Sequence, residues 1–581
     1  MAVSGDLLGG GTRRSKGDQA RRYNLLAARL IAELIKTSLG PRGLEKMFID
    51  IMGDVTVTKD GATLLRKIDV EHPAAKVLIE ASNAVDNEVG DGTTSVVVLV
   101  GALVQKAEEL LDMDIAPSTI TEGYTKGLEI AIEALNDISQ KHSNADKQAM
   151  KRLVSTCLQA KALAYGGDTV AELIVDSVCY VANFGSNSID SDDIKIEEKE
   201  GSITDAQLII GIVIDKTIDS SAMPRAVENA RIMLINDELE GKRTRTEAEI
   251  QITSPEQIKS YSDAQTLMIK SKVQHIIDSG ANVVFSRKGI NTLAQHLLTR
   301  AGIISVRRVK ENDLVWLAKA TGATISEKLD HEHDDHHDHG HNRHDDGHYH
   351  HGDLDIKLGH AERVYEKQVG DDKIVIVEGC RNPKAVTLLL RANSKRTLDE
   401  CHRSALDAIN VLRDFIVRPS VVTGGGATEA AIAKRVREKA SLISGREQIV
   451  VQKFAEALEE IPLTIARNAG MDVMDTLVQL RLGHSNGKGS SYGVDAIERK
   501  VKEMHPSVIE PVAVKEQVIK TAVEVTNLLV RVDDVLMAKP AMYTHTHSNG
   551  AKHSHAGGDK EHQHDHFDRL GKQQRPMHQY Y

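Results

Sequence analysis

The chain has 581 residues, of which 41% are hydrophobic and only 3% aromatic, so it is long enough for several compact domains with aliphatic cores. Its formal net charge of −11, without any basic block, argues against a nucleic-acid partner. No apolar run is long enough to span a bilayer and the first residues form no apolar leader, so we expect a cytoplasmic protein without a membrane partner.

The first third of the chain is predicted to be mostly helical. Leucines four residues apart predict an amphipathic helix over 18–39, which ends at Gly40-Pro41. Alternating apolar and polar residues in 47–65 predict a β-hairpin that turns at Asp54, and a helix is expected from Thr63. Helical spacing then dominates in 101–138 and 146–181.

Near Ala206 the pattern changes to short β-type runs separated by helical or polar stretches, which predicts an inserted α/β module. The runs are 206–215, 230–235, 281–286, 302–309, 372–379 and 385–391. Long helices return from Leu398, so the two chain ends are expected to form one discontinuous helical domain. The predicted fold class is therefore multidomain, α and α/β. Residues 236–265 are polar and by themselves predict a surface loop with a solvated charged helix.

Two segments are rich in histidine. Residues 331–353 contain ten histidines, and these together with the tail segment 545–566 hold most of the 26 in the chain. This composition predicts disorder without a ligand. Neutral imidazoles at such density can bind Ni²⁺, Zn²⁺ or Cu²⁺ weakly. A solvated linker without a specific role is an equal alternative.

The cysteines are predicted to be buried thiols. Cys157, Cys179, Cys380 and Cys401 are widely separated and form no CxxC pair. This spacing favours neither a disulfide framework nor a structural zinc site.

The sequence GDGTTS (90–95) has the residues that a phosphate cradle needs. Glycines at Gly90 and Gly92 allow close approach of the backbone, and Thr93, Thr94 and Ser95 add hydroxyls where a helix can begin. Asp91 would repel phosphate unless Mg²⁺ lies between them, which is an ordinary Mg²⁺ environment. The plain alternative is a turn that connects two helices, and the following SVVVLV is valine-rich enough for a strand.

Three further pieces have related chemistry but lie far apart in the chain. LGPRG (39–43) and GGGA (424–427) are glycine-rich helix ends, and Asp60 follows Lys59 in a turn. ATP hydrolysis needs groups that orient and activate water, a task that carboxylates can perform. Asp407, in a helical segment, is by spacing alone a solvated helix residue.

Taken together, the ordered motifs from about Leu25 to Pro540 resemble those of the group II chaperonins, the family of the archaeal thermosome subunits. They include TSLGPRGLEKM (37–47), EVGDGTTSVVVL (88–99), ITSPEQI (252–258), VEGCRNPKAVTLLLR (377–391), GGGATE (424–429) and LLVRVDDVLMAKP (528–540). This resemblance implies an ATP-dependent chaperone with a three-domain subunit, and it favours helix for SVVVLV.

The resemblance implies an equatorial domain from both chain ends, an intermediate domain in two pieces and an apical domain from the middle of the chain. An apical domain is expected to carry a helical protrusion at about 236–275, which serves as a built-in lid, and the histidine-rich insert 331–353. The expected ranges are equatorial 1–145 and 405–540, intermediate 146–211 and 369–404, apical 212–368, and a disordered tail 541–581. Subunits of this family form two stacked rings, usually of eight, that enclose unfolded polypeptide clients.

The resemblance also implies the roles of individual residues at an ATP/ADP site. Asp91 is expected to bind Mg²⁺, and Asp60 and Asp407 are expected to activate water. Lys161, in CLQAKAL, resembles the lysine that senses the γ-phosphate. The resemblance also implies that Gly425, Gly426 and Glu510 face the ribose and base. The other expected nucleotide contacts are Leu39, Gly40, Pro41, Gly92, Thr93, Thr94 and Ser95.

The residues before two of these carboxylates depart from the family pattern. Lys59, before Asp60, stands where the family usually has asparagine, and Leu406, before Asp407, stands where it usually has a polar residue. We therefore expect an active and unusually slow ATPase. The alternative is a chaperonin-like ring scaffold that stores metal on its histidine-rich segments, and a small-molecule kinase is a more distant one. The subunit composition of the ring, from one or several kinds of chain, is left open.

Overall fold

The computed structural model describes residues 13–68, 70, 72–159, 161, 163, 167–240, 255–327, 329, 357–370, 372–380, 385–485, 491–537, 542–546 and 552–556. These residues form two compact units. One contains the described residues from Tyr23 to Arg531, and the other contains those before and after this range.

Helices make up most of the described chain ends, whereas strands alternate with helices in the middle. The helices are α1 Gly17–Lys36, α2 Gly61–Lys67, α3 Pro73–Val89, α4 Thr93–Asp112, α5 Pro117–Ile138, α6 Lys147–Leu158, α7 Gly167–Val181, α8 Pro255–Asp278, α9 Thr292–Arg300, α10 Glu311–Thr321, α11 Lys395–Val417, α12 Ala427–Ala440, α13 Arg446–Asn468, α14 Val473–Ser485 and α15 Val512–Arg531. The strands are β1 Arg13–Lys16, β2 Lys46–Ile49, β3 Val55–Thr58, β4 Gln140–Lys141, β5 Ile194–Glu200, β6 Gln207–Ile209, β7 Gly211–Ile214, β8 Ala226–Ile235, β9 Val283–Ser286, β10 Ile304–Val306, β11 Ile325–Ser326, β12 Gly359–Val369, β13 Asp372–Glu378, β14 Val386–Ala392, β15 Ser420–Thr423, β16 Tyr492–Asp495, β17 Lys500–Glu503, β18 Ile509–Pro511, β19 Asp534–Met537, β20 Met542–Thr546 and β21 Lys552–Ala556.

The larger unit contains a helical body built from both halves of the chain. Its core combines α1, α3, α4 and α5 with α12, α13 and α15, and is almost entirely Val, Leu, Ile and Ala. Two aromatic side chains join α5 to α13, where the rings of Tyr124 and Phe454 are centred 5.9 Å apart. Helix α4 is buried along most of its length, which confirms helix for SVVVLV despite its β-branched residues. Tertiary burial outweighs their weak helix preference.

The inserted middle contains a seven-stranded mixed sheet. Its main order is β10-β9-β8-β12-β13-β7, with β11 paired to β8. Helices α8, α9 and α10 contribute to its aliphatic core. The boundary expected between residues 368 and 369 falls where β12 meets β13, and these strands pair from Arg363↔Glu378 to Val369↔Asp372. The sheet therefore continues past that position.

A second, three-stranded sheet has the order β5-β14-β6, with β14 parallel to β5 and antiparallel to β6. It shares a core with α6, α7 and α11. The pattern of β-type runs alone groups 206–209 and 385–391 with the α/β module, whereas β6 and β14 pair in this separate sheet. The domain ranges implied by the resemblance also keep both segments out of the apical domain. Strands β5 and β12 escape the sequence patterns because charged residues occupy many of their positions.

The smaller unit consists of paired strands from the two chain ends. Strand β1 pairs antiparallel with β19, from Arg13↔Met537 to Lys16↔Asp534. Strands β20 and β21 form a hairpin from Met542↔Ala556 to Thr546↔Lys552. These two strands fall within 541–581, for which the disordered tail stays a prediction. The histidine-rich insert 331–353 lies outside the described residues, as do 241–254 of the expected protrusion.

Several local predictions can be compared directly with the structure. The hairpin at 47–65 is confirmed as β2 and β3, and α2 begins at Gly61 rather than Thr63. Cys157, Cys380 and Cys401 are buried free thiols as predicted, whereas Cys179 is partly exposed. Within the described ranges, every helix is too short or too polar to cross a bilayer.

Candidate nucleotide-binding site

A cavity of about 340 Å³ at the edge of the helical body contains all the residues that the sequence predicts for the site. They come from separate parts of the chain, and the helical packing brings them together. The lining residues among them are Leu39, Gly40, Pro41, Asp60, Asp91, Gly92, Thr93, Thr94, Ser95, Lys161, Asp407, Gly425, Gly426 and Glu510.

The N-terminus of α4 supplies backbone donors to this cavity. Gly92 is the N-cap at φ +83°, and among the described residues no side chain caps the helix there. A Cβ on Gly92 would lie 2.7 Å from Cγ2 of Val518, so α15 leaves room only for glycine. Uncapped N–H groups at a helix start are an anion site, because their positive ends converge.

A second helix start faces the same cavity. Gly426 is the N-cap of α12 at φ +74°, and within the described segments this cap also has no side-chain hydrogen bond. A side-chain hydrogen bond stabilises the turn, because the Thr428 hydroxyl donates to the Thr423 carbonyl at 2.8 Å. GGGATE thus forms a tight connection from β15 to α12, and the cavity receives two sets of backbone donors.

Asp60 is fixed by hydrogen bonds on both carboxylate oxygens. As the N-cap of α2, it accepts from the Thr63 N–H at 2.7 Å, and from the Thr93 hydroxyl at 2.8 Å. Burial acts to raise the pKa of Asp60, but these hydrogen bonds outweigh it and hold the pKa below its usual value. Asp60 is therefore an ionised acceptor tied directly to the start of α4.

Asp407 reaches the cavity from the middle of α11 and pairs with Lys161. Oδ2 of Asp407 is 2.5 Å from Nζ of Lys161, and each of the two side chains is less than one-fifth exposed to solvent. Burial raises the pKa of Asp407 to about 7, with help from the negative charge of Asp60, although the Lys161 ammonium opposes the rise. This carboxyl is balanced between its acid and base forms near neutral pH.

Asp91 lies in the turn between α3 and α4. Its Oδ1 accepts from the Gly92 N–H at 2.7 Å, which fixes the side chain beside the helix start. Three carboxylates, those of Asp60, Asp91 and Asp407, thus line one cavity with two helix N-termini.

The sequence patterns miss other residues that shape the site. Nδ2 of Asn468, at the end of α13, donates to the Leu39 carbonyl at 2.8 Å and holds the LGPRG loop. Lys515 on α15 lines the cavity beside Glu510. A signal for Lys515 exists in VAVKEQVIK (512–520), because the lysine occupies a buried position of the helical repeat.

The chain is similar to known proteins over most of its length. The model of the TCP-1/cpn60 chaperonin family matches residues 31–540. Thermosome subunit alpha of Archaeoglobus fulgidus is 44% identical over 91% of the chain and 94% of that protein. A thermosome subunit of Methanopyrus kandleri is 43% identical over 91% and 94%, and thermosome subunit alpha of Sulfolobus acidocaldarius is 44% identical over 91% and 93%.

The chain belongs to the TCP-1/cpn60 chaperonin family. Within that family it is of the group II, thermosome class, whose members are ATPases that assist protein folding.

A Gly92→Ala substitution tests the cradle at α4. We expect at least tenfold weaker binding of Mg-ADP by calorimetry, because the Cβ would push α15 away from the helix start. The left-handed conformation would also cost about 1–2 kcal/mol of stability.

The matched control is Gly470→Ala. Gly470 has φ +74°, and among the described residues no heavy atom lies within 4 Å of the position that a Cβ would take, so the substitution carries the strain without the crowding. It should lower thermal stability and leave nucleotide binding intact. Wild-type affinity for ADP in Gly92→Ala would contradict the assignment of the cradle.

Proposed function

We propose that the cavity binds Mg-ATP and that its hydrolysis drives the folding of unfolded polypeptides inside a double-ring chamber closed by the protrusions. The observation that supports this best is the meeting of two uncapped helix starts and three carboxylates in one cavity. Donors of this kind suit the phosphates, and the carboxylates suit the metal and the attacking water.

The residues present fit Mg²⁺. Across the described part of the chain, no cluster of three or more His, Cys, Asp or Glu forms a ready protein cage for a metal. Mg²⁺ instead commonly takes one or two carboxylates together with phosphate oxygens and water. Asp91, fixed by the Gly92 N–H at the end of the phosphate cradle, is the proposed ligand. When bound, the ion would neutralise phosphate charge.

The two remaining carboxylates have different proposed tasks. Asp60, kept ionised by Thr63 and Thr93, orients the attacking water by accepting its hydrogen bond. Asp407, whose pKa is raised to about 7, accepts the proton that this water loses. The difference follows from environment, since hydrogen-bond donors outweigh burial at Asp60, whereas burial outweighs the Lys161 ammonium at Asp407.

Lys161 links the nucleotide to α11 in this proposal. Its ammonium pairs with Asp407 at 2.5 Å, and it also lines the cavity. A γ-phosphate would compete for this ammonium and release Asp407 toward the water. Helix α11 packs in the same core as α6 and the three-stranded sheet, so movement of Asp407 would move that core relative to the helical body.

We assign the helical body to the equatorial domain, the core around the three-stranded sheet to the intermediate domain, and the seven-stranded sheet to the apical domain. Their separate aliphatic cores support this assignment. Residues 236–275 would form the lid, two stacked rings of about eight subunits the chamber, and the cytoplasm the location. The nucleotide cavity would be the same whether the rings contain one kind of subunit or several.

Replacing Asp407 with Ala tests the hydrolytic mechanism. We expect Mg-dependent ATP hydrolysis to fall by about 10²–10⁴-fold while ATP still binds, because a general base is lost and the phosphate cradle is kept. Electron microscopy should show double rings that close with an ATP transition-state mimic in the wild type and stay open in the variant.

Asp399→Ala is the control, since Asp399 is exposed on the same helix. Absence of Mg-dependent ATPase in the wild type, or unchanged hydrolysis in Asp407→Ala, would overturn the mechanism. A light-scattering mass of one or two chains would favour the kinase alternative instead.

The pH dependence of single-turnover hydrolysis tests Asp407 as the base. The ionised fraction of a carboxyl with a pKa of about 7 increases as pH rises through 7, so the rate should rise between about pH 6 and 8. In Lys161→Met the rise should move to higher pH, because the ammonium that favours ionised Asp407 is gone. Lys151→Met should keep the wild-type profile, because Lys151 lies on α6 and pairs with Glu172 of α7. A flat wild-type profile would exclude this role.

Metal binding by the histidine-rich segments stays a prediction, because 331–353 lies outside the described residues. Calorimetric titration with Ni²⁺ should show saturable binding that disappears when the ten histidines of 331–353 and those of 545–566 are replaced by serine. ATPase activity should not change in that variant. Absence of saturable heat in the wild type would dispose of both weak metal binding and the metal-storage scaffold.

A further inference from the structure

Beside the glycine-rich turn of α12 lies a buried group of three charged residues. Nζ of Lys515 is 2.7 Å from Oε1 of Glu429 and 2.6 Å from Oε2 of Glu510. The side chains of Lys515 and Glu429 are almost fully buried, and that of Glu510 is about three-quarters buried. Lys515 and Glu510 line the nucleotide cavity, whereas Glu429 lies behind them.

Such a group is costly in a protein interior. Taking one ammonium and two carboxylates out of water costs several kcal/mol per ion before pairing, and an aliphatic replacement often packs as well. Burial raises the pKa of Glu510, and the Lys515 ammonium opposes this rise and favours the ionised form. Two carboxylates also hold Lys515 protonated, since together they raise its pKa. The positive charge of Lys515 is therefore maintained at the cavity wall.

The two oxygens of Glu510 have different surroundings. Oε2 is held by Lys515, while Oε1 lies 2.6 Å from the position that a Cβ on Gly424 would take. The glycine therefore leaves space for Oε1 beside the GGGATE turn. Glu429 uses Oε1 for Lys515, and in the described part of the structure its Oε2 has no hydrogen-bond partner.

We propose that Lys515, anchored by Glu429, is a positioning residue that orients the Glu510 carboxylate to accept hydrogen bonds from the ribose hydroxyls, and that it thereby sets the preference for ribonucleotides. This inference rests on the proposed function, in which the cavity that Glu510 lines holds the nucleotide. A carboxylate with one oxygen anchored can present the other in a fixed direction. Hydrogen bonds to an ionised acceptor are also stronger than those to a neutral one.

The experiment compares the binding of Mg-ADP, 2′-deoxy-ADP and 3′-deoxy-ADP to the full chain by calorimetry. The wild type should prefer ADP by about tenfold or more over at least one deoxy analogue, as expected for a hydrogen bond to a charged group. In Lys515→Met this ratio should fall toward one, mainly through weaker ADP binding. In single-turnover hydrolysis, Lys515→Met should raise the ATP concentration that gives half the maximal rate more than it lowers the rate at saturation, because the contact that Lys515 positions belongs to binding.

Further variants separate positioning from a general loss of structure. Glu510→Gln should lower the ratio as Lys515→Met does, and combining them should add little, because both act on one contact. Lys515→Arg should restore part of the preference. Lys520→Met is the matched control, since Lys520 lies on the same helix, is paired with Glu516, and is substantially exposed.

The outcomes distinguish this inference from the proposed function. A wild type that binds neither ADP nor its analogues overturns the proposed function. A wild type that binds ADP and both deoxy analogues equally overturns the positioning role alone, as does a Lys515→Met variant that keeps the wild-type ratio. If Lys515→Met does not fold, Glu429→Gln tests the same point, because a weakened anchor should also lower the ratio.

Discussion

The burial of α4 is the constraint on which the rest of the larger unit depends. Its residues from Val96 to Val104 are almost fully enclosed by helices of both chain halves. Neither half alone can cover such a helix, so the body closes only when residues before 140 and after 420 meet. The intervening chain leaves and returns at one place, where β4 pairs antiparallel with β15. The chain between β4 and β15 forms nearly all of the two further cores, and it is inserted at this place without interrupting the helical body.

The nucleotide cavity follows from the same packing. The loops that line it are the ends of helices whose middles form the aliphatic core, so the core fixes the positions of the glycine turns. Helix α11 belongs to the neighbouring core, and it contacts strand β3 through Glu400, which accepts from the Thr58 hydroxyl at 3.1 Å. The Thr58 hydroxyl in turn accepts from the Asp60 N–H at 3.0 Å, so α11 and the turn that contains Asp60 share one hydrogen-bond chain.

Motifs made of backbone geometry can be predicted from local sequence, whereas the spacing of residues alone does not reveal charges that pair across the chain. Gly92 and Gly426 indicate helix starts because few other residues adopt their conformation beside a close neighbour. Strand β5, with sequence IKIEEKE, shows no apolar alternation and is not predicted. Its lysines are buried only because acidic side chains meet them from other strands and helices. Asp407 likewise has the spacing of a solvated helix residue, since its partner Lys161 is distant in sequence.

Buried lysines with two acidic partners recur in this protein, and each connects secondary-structure elements that lie apart in the sequence. Lys195 contacts Asp313 at 2.6 Å and Glu197 at 3.1 Å, and thereby connects β5 to α10 of the other sheet's core. Lys515 does the same between α12 and β18. Contacts between aliphatic side chains tolerate sliding, whereas an ammonium shared by two carboxylates has a defined direction and loses much energy if one partner moves away. Ion pairs therefore fix the relations between elements whose packing alone would leave them free to shift.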